Sequence, residues 1–336
     1  MKKTLLPFEY EPYAKMYNEH GFVFGMIQGN ADQDITPWFC GKFINCWFDP
    51  TSPNKFEYNV FDTSATEDKI LINQFMYLYP EQIKLLFGGD ILTLFRDMLD
   101  MGLYPRGRYN EEHIPGKWAY GNAYFNHDFI LVGYDDEAKC FISAGYLSDG
   151  KFQKYLIPYE NMDAAIKTNK PPNSYFGFWK YNQNAVYKLN IPRIIDQLDD
   201  YIKSTTKMSV YLENKTWGLQ AISDLRKHFE KCGEKKRYLD VRYTRGIMEH
   251  KFFMEMRIEY LLNHGYLVDN FLLNSAKEVN KMAQLIHFLA IKYNITGEIS
   301  IANRICETLN KMIDIERKYL PSVLSQLQAK SEDIIA

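Results

Sequence analysis

The chain of 336 residues is 46% hydrophobic and 15% aromatic, enough apolar side chain for a large core and, at this length, for two domains. Lys and Arg number 40 against 42 Asp and Glu, a balance that argues against general nucleic-acid binding, and no apolar run reaches membrane-spanning length. Met1-Lys2-Lys3 is followed by too few apolar residues for a signal peptide, so a cytoplasmic protein is expected. Its five cysteines are scattered and lack CxxC spacing, which points to free thiols rather than disulfides or a zinc site.

In chain order, residues 1–30 read as irregular and rich in aromatics, with Tyr10, Tyr13, Tyr17 and Phe22 as an apolar lining. Apolar residues at 39, 43, 44, 47 and 48 predict a helix, with Pro37 near its start. Cys40 then falls in the first turn, where free N–H groups and the helix dipole favour thiolate. Cys46 reads as a small buried hydrophobe. Helices are predicted over 72–86 and 91–101, separated by Gly88-Gly89. Residues 102–126 carry Pro105, Gly107, Pro115, Gly116 and Gly121 and read as a long loop lining a site.

A strand opening at His127, a turn over Asp135 to Lys139, a strand from Cys140 to Tyr146, a Ser148-Asp149-Gly150 turn and a third strand come next. Two further strands are predicted at 175–181 and 185–189, after a Pro171-Pro172 turn. Beyond residue 190 the periodicity becomes helical over roughly 193–205, 214–232, 237–264, 272–293 and 298–328. The fold class is therefore α+β, with domains at 1–190 and 191–336. Cys40 and His127 are the candidate nucleophile and base. Asp135 and Asp136, eight and nine residues after His127, are turn residues rather than site members. His113, His228, His250, His264 and His287 lack metal-ligand spacing, and no metal site is expected.

The order of a Cys-headed helix, intervening helices and the hairpin run HDFILVGYDDEAKCFISAGYLSDGKFQKYLIPYENM at 127–162 resembles the papain-like fold of the butirosin biosynthesis protein H family. The helical second half, with Thr216-Trp217-Gly218-Leu219-Gln220-Ala221-Ile222 near its start, is similar to that family's C-terminal helical domain. The amide-forming enzyme of closthioamide assembly, which uses a diamine, belongs to the same papain-like group. The resemblance implies a cysteine-dependent acyltransferase of specialised-metabolite biosynthesis. It would take an acyl group from the phosphopantetheine arm of an acyl or peptidyl carrier protein, hold it as an acyl-Cys40 thioester and pass it to a small amine or diamine. No other cofactor is implied, and a homodimer is left open.

By the same resemblance, Gln33 is the oxyanion candidate although it stands seven residues before Cys40, and an acid or asparagine should orient His127. The family slot falls on Ala144 or Gly145, neither of which can serve. Asp149 or Ser148 reaching back, a residue from elsewhere, or a bare Cys-His dyad are the alternatives. The basic residues Arg226, Lys227, Lys231, Lys235, Lys236, Arg237, Arg242 and Arg245 form either a solvated face or a docking surface for an acidic carrier protein. A cysteine peptidase and a catalytically silent binding protein are the competing functions.

Overall fold

The computed structural model describes residues 2–52, 54–58, 70–170, 175–207 and 214–335; the Pro171-Pro172 turn lies outside them. In chain order the elements are β1 (Lys3–Leu5), α1 (Asn18–Asn30), α2 (Thr36–Phe39), β2 (Cys46–Phe48), β3 (Phe56–Tyr58), β4 (Leu71–Leu78), α3 (Pro80–Phe87) and α4 (Ile91–Asp100). Then come β5 (Tyr104–Asn110), a 3-10 turn (Glu111–His113), β6 (Asn126–Asp135), β7 (Cys140–Tyr146), β8 (Phe152–Pro158), α5 (Tyr159–Lys167) and β9 (Phe176–Tyr181). The remainder is α6 (Ile191–Lys203), β10 (Thr216–Trp217), α7 (Gly218–Glu234), α8 (Val241–Asn263), α9 (Asn270–Thr296) and α10 (Ile299–Ile335). The architecture is mixed α+β with antiparallel sheets. Among the described residues no helix is long and apolar enough to cross a membrane.

The chain divides into two compact units, Met1–Gln33 with Thr63–Val186 and Asp34–Asp62 with Tyr187–Ala336. The expected boundary near 190 falls close to the crossing at 186, but the expected 1–190 domain does not hold together. Residues 34–62 are taken out of it into the second unit, which is therefore not all-helical: β10, β2 and β3 form a three-stranded sheet there.

The first unit is built on a sheet of order β4-β9-β5-β6-β7-β8, with β1 also paired to β6. One face is covered by α4 and α5. Phe95 of α4 lies at the centre of that layer, its ring 5.9 Å from Phe129, 6.1 Å from Phe141 and 5.5 Å from Phe176. On β8, Tyr155 and Ile157 belong to this layer. Phe152, an odd number of residues away, faces the other side. There it meets α1, its ring 6.3 Å from Phe22.

The helix α1 stands where the sequence predicts irregular chain, and the reason is physical. Both sides of the helix are buried, so it carries no polar stripe to reveal a 3.6-residue period. Glycines at 21, 25 and 29 also depress its helix propensity. They are required by contact: a Cβ on Gly25 would lie 2.2 Å from the Phe8 ring, and one on Gly29 would lie 2.5 Å from Phe8 backbone. Two other elements depart from expectation. Residues 71–78 form a strand against β9 rather than a helix, and 185–189 form no strand.

In the second unit, the predicted 36–48 helix shrinks to the four residues of α2, after which the chain turns into β2. The turn between them is held by side chains from the helices. Arg257 of α8, 1% exposed, donates through Nε to the Cys40 carbonyl at 2.6 Å and through Nη2 to the Lys42 carbonyl at 2.6 Å. Arg193 Nε donates to the Gly41 carbonyl at 3.0 Å, and His250 Nε2 to the Ile44 carbonyl at 2.8 Å. Four carbonyls that a longer helix would have bonded internally thus find partners in the helical part of the same unit.

Candidate active site

The site grows from the pairing of β5 with β6, in which Tyr109 stands opposite His127 and Asn110 opposite Asn126. At the end of the ladder, Asn110 turns the chain. Its Oδ1 accepts from the Glu112 and Phe125 backbone N–H groups, capping the 3-10 turn and pinning the return strand. Glu111 is the first residue of that turn and has the same strand parity as Tyr109, so it comes to the edge of the sheet beside His127.

Nδ1–H of His127 donates to Oε1 of Glu111 at 2.7 Å. The Glu111 side chain is 4% exposed and that of His127 is 35% exposed. Lys117, also buried, lies 3.4 Å from the same carboxylate and donates to the Tyr146 carbonyl at 2.7 Å. Its ammonium sits 4.7 Å from the centre of the Tyr155 ring. Burial alone would push the Glu111 carboxyl up; the His127 hydrogen bond and the Lys117 charge outweigh it and hold the group below its ordinary value. An ionised Glu111 fixes the proton on Nδ1 and leaves the Nε2 lone pair of a half-exposed imidazole as the reactive atom.

The expected third residues are not the ones that orient His127. Asp149 is exposed and its carboxylate accepts from the Lys151 backbone N–H at 3.0 Å and from Gln153 Nε2 at 3.0 Å; Ser148 donates its backbone N–H to Gly116. The cause is register. The β6–β7 ladder ends at Ile130 opposite Ala144, three residues short of His127, so nothing on β7 faces the imidazole, and the orienting acid comes from the turn that follows β5 on the other side. Of the loop expected over 102–126, Tyr104–Asn110 is instead strand β5; the part that follows supplies Glu111 and Lys117. It also carries exposed Trp118 and Phe125, with Phe125 5.2 Å from the His127 ring and Trp118 6.1 Å from Phe125.

The head of α1 joins this cluster. Asn18 accepts from the Tyr146 backbone N–H at 3.2 Å, on the residue whose carbonyl holds Lys117. Asn18 is 5% exposed, and its Nδ2 has no hydrogen-bond partner among the described residues. No cysteine heads this helix. The first unit contains a single cysteine, Cys140, which pairs with Asp135 at the opposite end of β6 from His127.

Cys40 belongs to the second unit, at the C-terminal end of α2 rather than in a helix's first turn. It is fully buried, with no helix N-terminus to favour the anion, and burial pushes its thiol up to about 12 despite the nearby Arg257 guanidinium. Gln33 is an exposed loop residue at the end of the first unit's opening segment, in a different unit from Cys40. Cys46 is buried in β2 as a packing residue. Among the described residues no group of three His, Cys, Asp or Glu side chains could hold a metal ion.

No protein-family model matches the chain, and no curated protein matches its sequence. The chemistry of the site therefore rests on its own geometry.

Proposed function

We propose that the chain is an acyltransferase of papain-like architecture that passes an acyl group from a thioester to a small amine or diamine, using His127 as general base and no acyl-cysteine intermediate. The carrying observation is the 2.7 Å bond from His127 Nδ1–H to the buried Glu111 carboxylate, which leaves Nε2 basic on a half-exposed ring. A helix head against a sheet, a histidine at a strand mouth and an orienting acid support the papain-like comparison. The departure is at the helix head, where Asn18 stands in place of a nucleophile.

Thioesters are activated enough for direct aminolysis. Nε2 of His127 takes the proton of the attacking amine, and the departing thiolate, the end of a phosphopantetheine arm on an acyl or peptidyl carrier protein, leaves with the proton returned. Phe125 borders the imidazole and Trp118 packs beyond it, offering an apolar approach for the acyl chain. A cytoplasmic role in specialised-metabolite assembly fits this reading.

The test uses an acyl-loaded carrier protein and a diamine, with amide formation and intact mass followed together. Amide formation that falls about 10²–10⁴-fold in His127→Ala, persists in Cys40→Ala and leaves no acyl adduct on the enzyme supports the proposal. An adduct on Cys40, or a rate indifferent to His127, defeats it. The lack of a thiol beside His127 within its own unit favours one second reading, a non-catalytic binding protein on the same scaffold. That reading predicts retention of the acyl-carrier protein without turnover.

A further inference from the structure

The second unit holds a half-open cleft of about 240 Å³, just below the ~300 Å³ at which small-molecule pockets usually begin. One wall is a face of α7. Asp224, Lys227, His228 and Lys231 succeed one another at spacings of three, one and three residues, which places them along a single stripe over two turns. The rest of the lining is Phe48 of β2 and Pro50 in the turn after it, with Asn214 and Thr216; the Phe48 ring centre is 6.0 Å from that of His228.

Charge in the cleft is uneven. Lys227 is bonded to Asp224 at 2.8 Å, and Asp224 keeps a second donor in Gln220 Nε2 at 3.1 Å. Lys231 has no carboxylate partner among the described residues. Lys55 adds positive charge near His228 while its own ammonium is bonded to the backbone carbonyls of Pro50 and Ser52, which carry no net charge. Among the described residues one wall thus presents two ammonium groups flanking an imidazole, offset by Asp224 in the lining and by Asp240, whose charge also reaches His228; across from it lies the Phe48 ring.

We propose that this cleft binds a small organic phosphomonoester, with the phosphate against Lys227, His228 and Lys231 and the organic part against Phe48 and Pro50. A tetrahedral anion offers three terminal oxygens to three groups along a helix stripe, where a planar carboxylate would span two. Asp224 releases Lys227 to the phosphate without being stranded, because the Gln220 donor remains. The site lies wholly within the second unit and does not depend on the chemistry assigned to His127.

The test titrates the full chain with phenyl phosphate, inorganic phosphate and benzoate at 0.15 M salt, by calorimetry and by chemical shifts of the histidine ring protons. Expected are binding of phenyl phosphate with a shift at His228, weaker binding of inorganic phosphate and weaker still of benzoate. Lys231→Glu and Lys227→Glu should each weaken phenyl phosphate by about tenfold or more, the value of one charge-assisted hydrogen bond. Phe48→Leu should erase the preference for phenyl phosphate over inorganic phosphate while leaving the latter unchanged. Absence of phenyl phosphate binding at millimolar concentration, equal affinity for benzoate, or affinity unmoved in both charge reversals with unchanged melting temperature overturns the proposal.

Discussion

At the scale of single residues, the outcome turns on two side chains in opposite electrostatic situations. Glu111 is buried yet ionised because His127 and Lys117 reach it; Cys40 is buried and neutral because the Arg257 charge is too little to offset its desolvation. Glu111→Gln keeps the shape and removes the charge. Amide formation should fall by two orders of magnitude or more, since a neutral amide no longer fixes the proton on Nδ1 of His127. The stability consequence has a definite sign. A carboxyl lowered below 4.5 stabilises the fold fully above that pH and loses the contribution as pH falls through its lowered value. The melting-temperature gap between the parent chain and Glu111→Gln should therefore be widest near neutrality and close in acid. Cys40 gives an independent check: with a thiol pushed up to about 12, only about one molecule in ten thousand is thiolate at pH 8. Iodoacetamide should leave Cys40 unlabelled in the native chain and label it after unfolding; rapid native labelling, read by peptide mass, would restore it as a nucleophile.

At the scale of elements, legibility in the sequence tracks exposure. The predicted strands at His127, Cys140 and Phe152 and helices α6 to α10 match the structure closely because hydrophobic period and turn residues agree there. Pro105 and Gly107 hide β5, since such residues ordinarily argue against an inner strand. Gly107 is there because a Cβ would lie 2.4 Å from the Tyr175 carbonyl oxygen on the neighbouring chain segment, a long-range cause with no local trace. Without β5, Glu111 goes unseen as well. With Tyr109 opposite His127, the acid comes two residues on; without that strand the imidazole can only be paired forward into β7.

The helical elements also carry a buried charge cluster that no periodicity announces. Lys251 of α8 bonds both carboxylate oxygens of Glu316 on α10 at 2.8 Å and the hydroxyl of Tyr201 on α6 at 2.6 Å, with the ion pair fully buried. Removing one partner strands a charge. Lys251→Met should cost about 3–5 kcal/mol in chemical denaturation, and adding Glu316→Leu should return most of it. If the double variant is no more stable than the single one, the cost belongs to packing rather than to the stranded carboxylate.

For the whole molecule, the sequence locates a change of character near residue 190 but does not reveal that residues 34–62 belong with the helices beyond that point. Their helical spacing at 39, 43, 44, 47 and 48 marks a buried surface without saying what covers it. A fragment ending at residue 190 would leave Phe39, Phe43, Trp47 and Phe48 without the helices that bury them and should be insoluble when expressed alone. Replacing 34–62 in that fragment by a short Gly/Ser linker should recover soluble protein with native-like melting. Equal solubility of the two fragments would count against the two-unit division.

The excursion of 34–62 also sets a schedule for biosynthesis. Arg257, which holds the Cys40 and Lys42 carbonyls, is made 217 residues after Cys40, so at typical elongation rates of 5–20 residues per second its carbonyl partners wait about 11 to 43 s for it. During that interval the sheet unit can close while an aromatic segment hangs from it, a ready target for a ribosome-associated chaperone. Slowing translation should lengthen that exposure, whereas a circular permutant that begins at residue 187 would make the helices first and remove the delay.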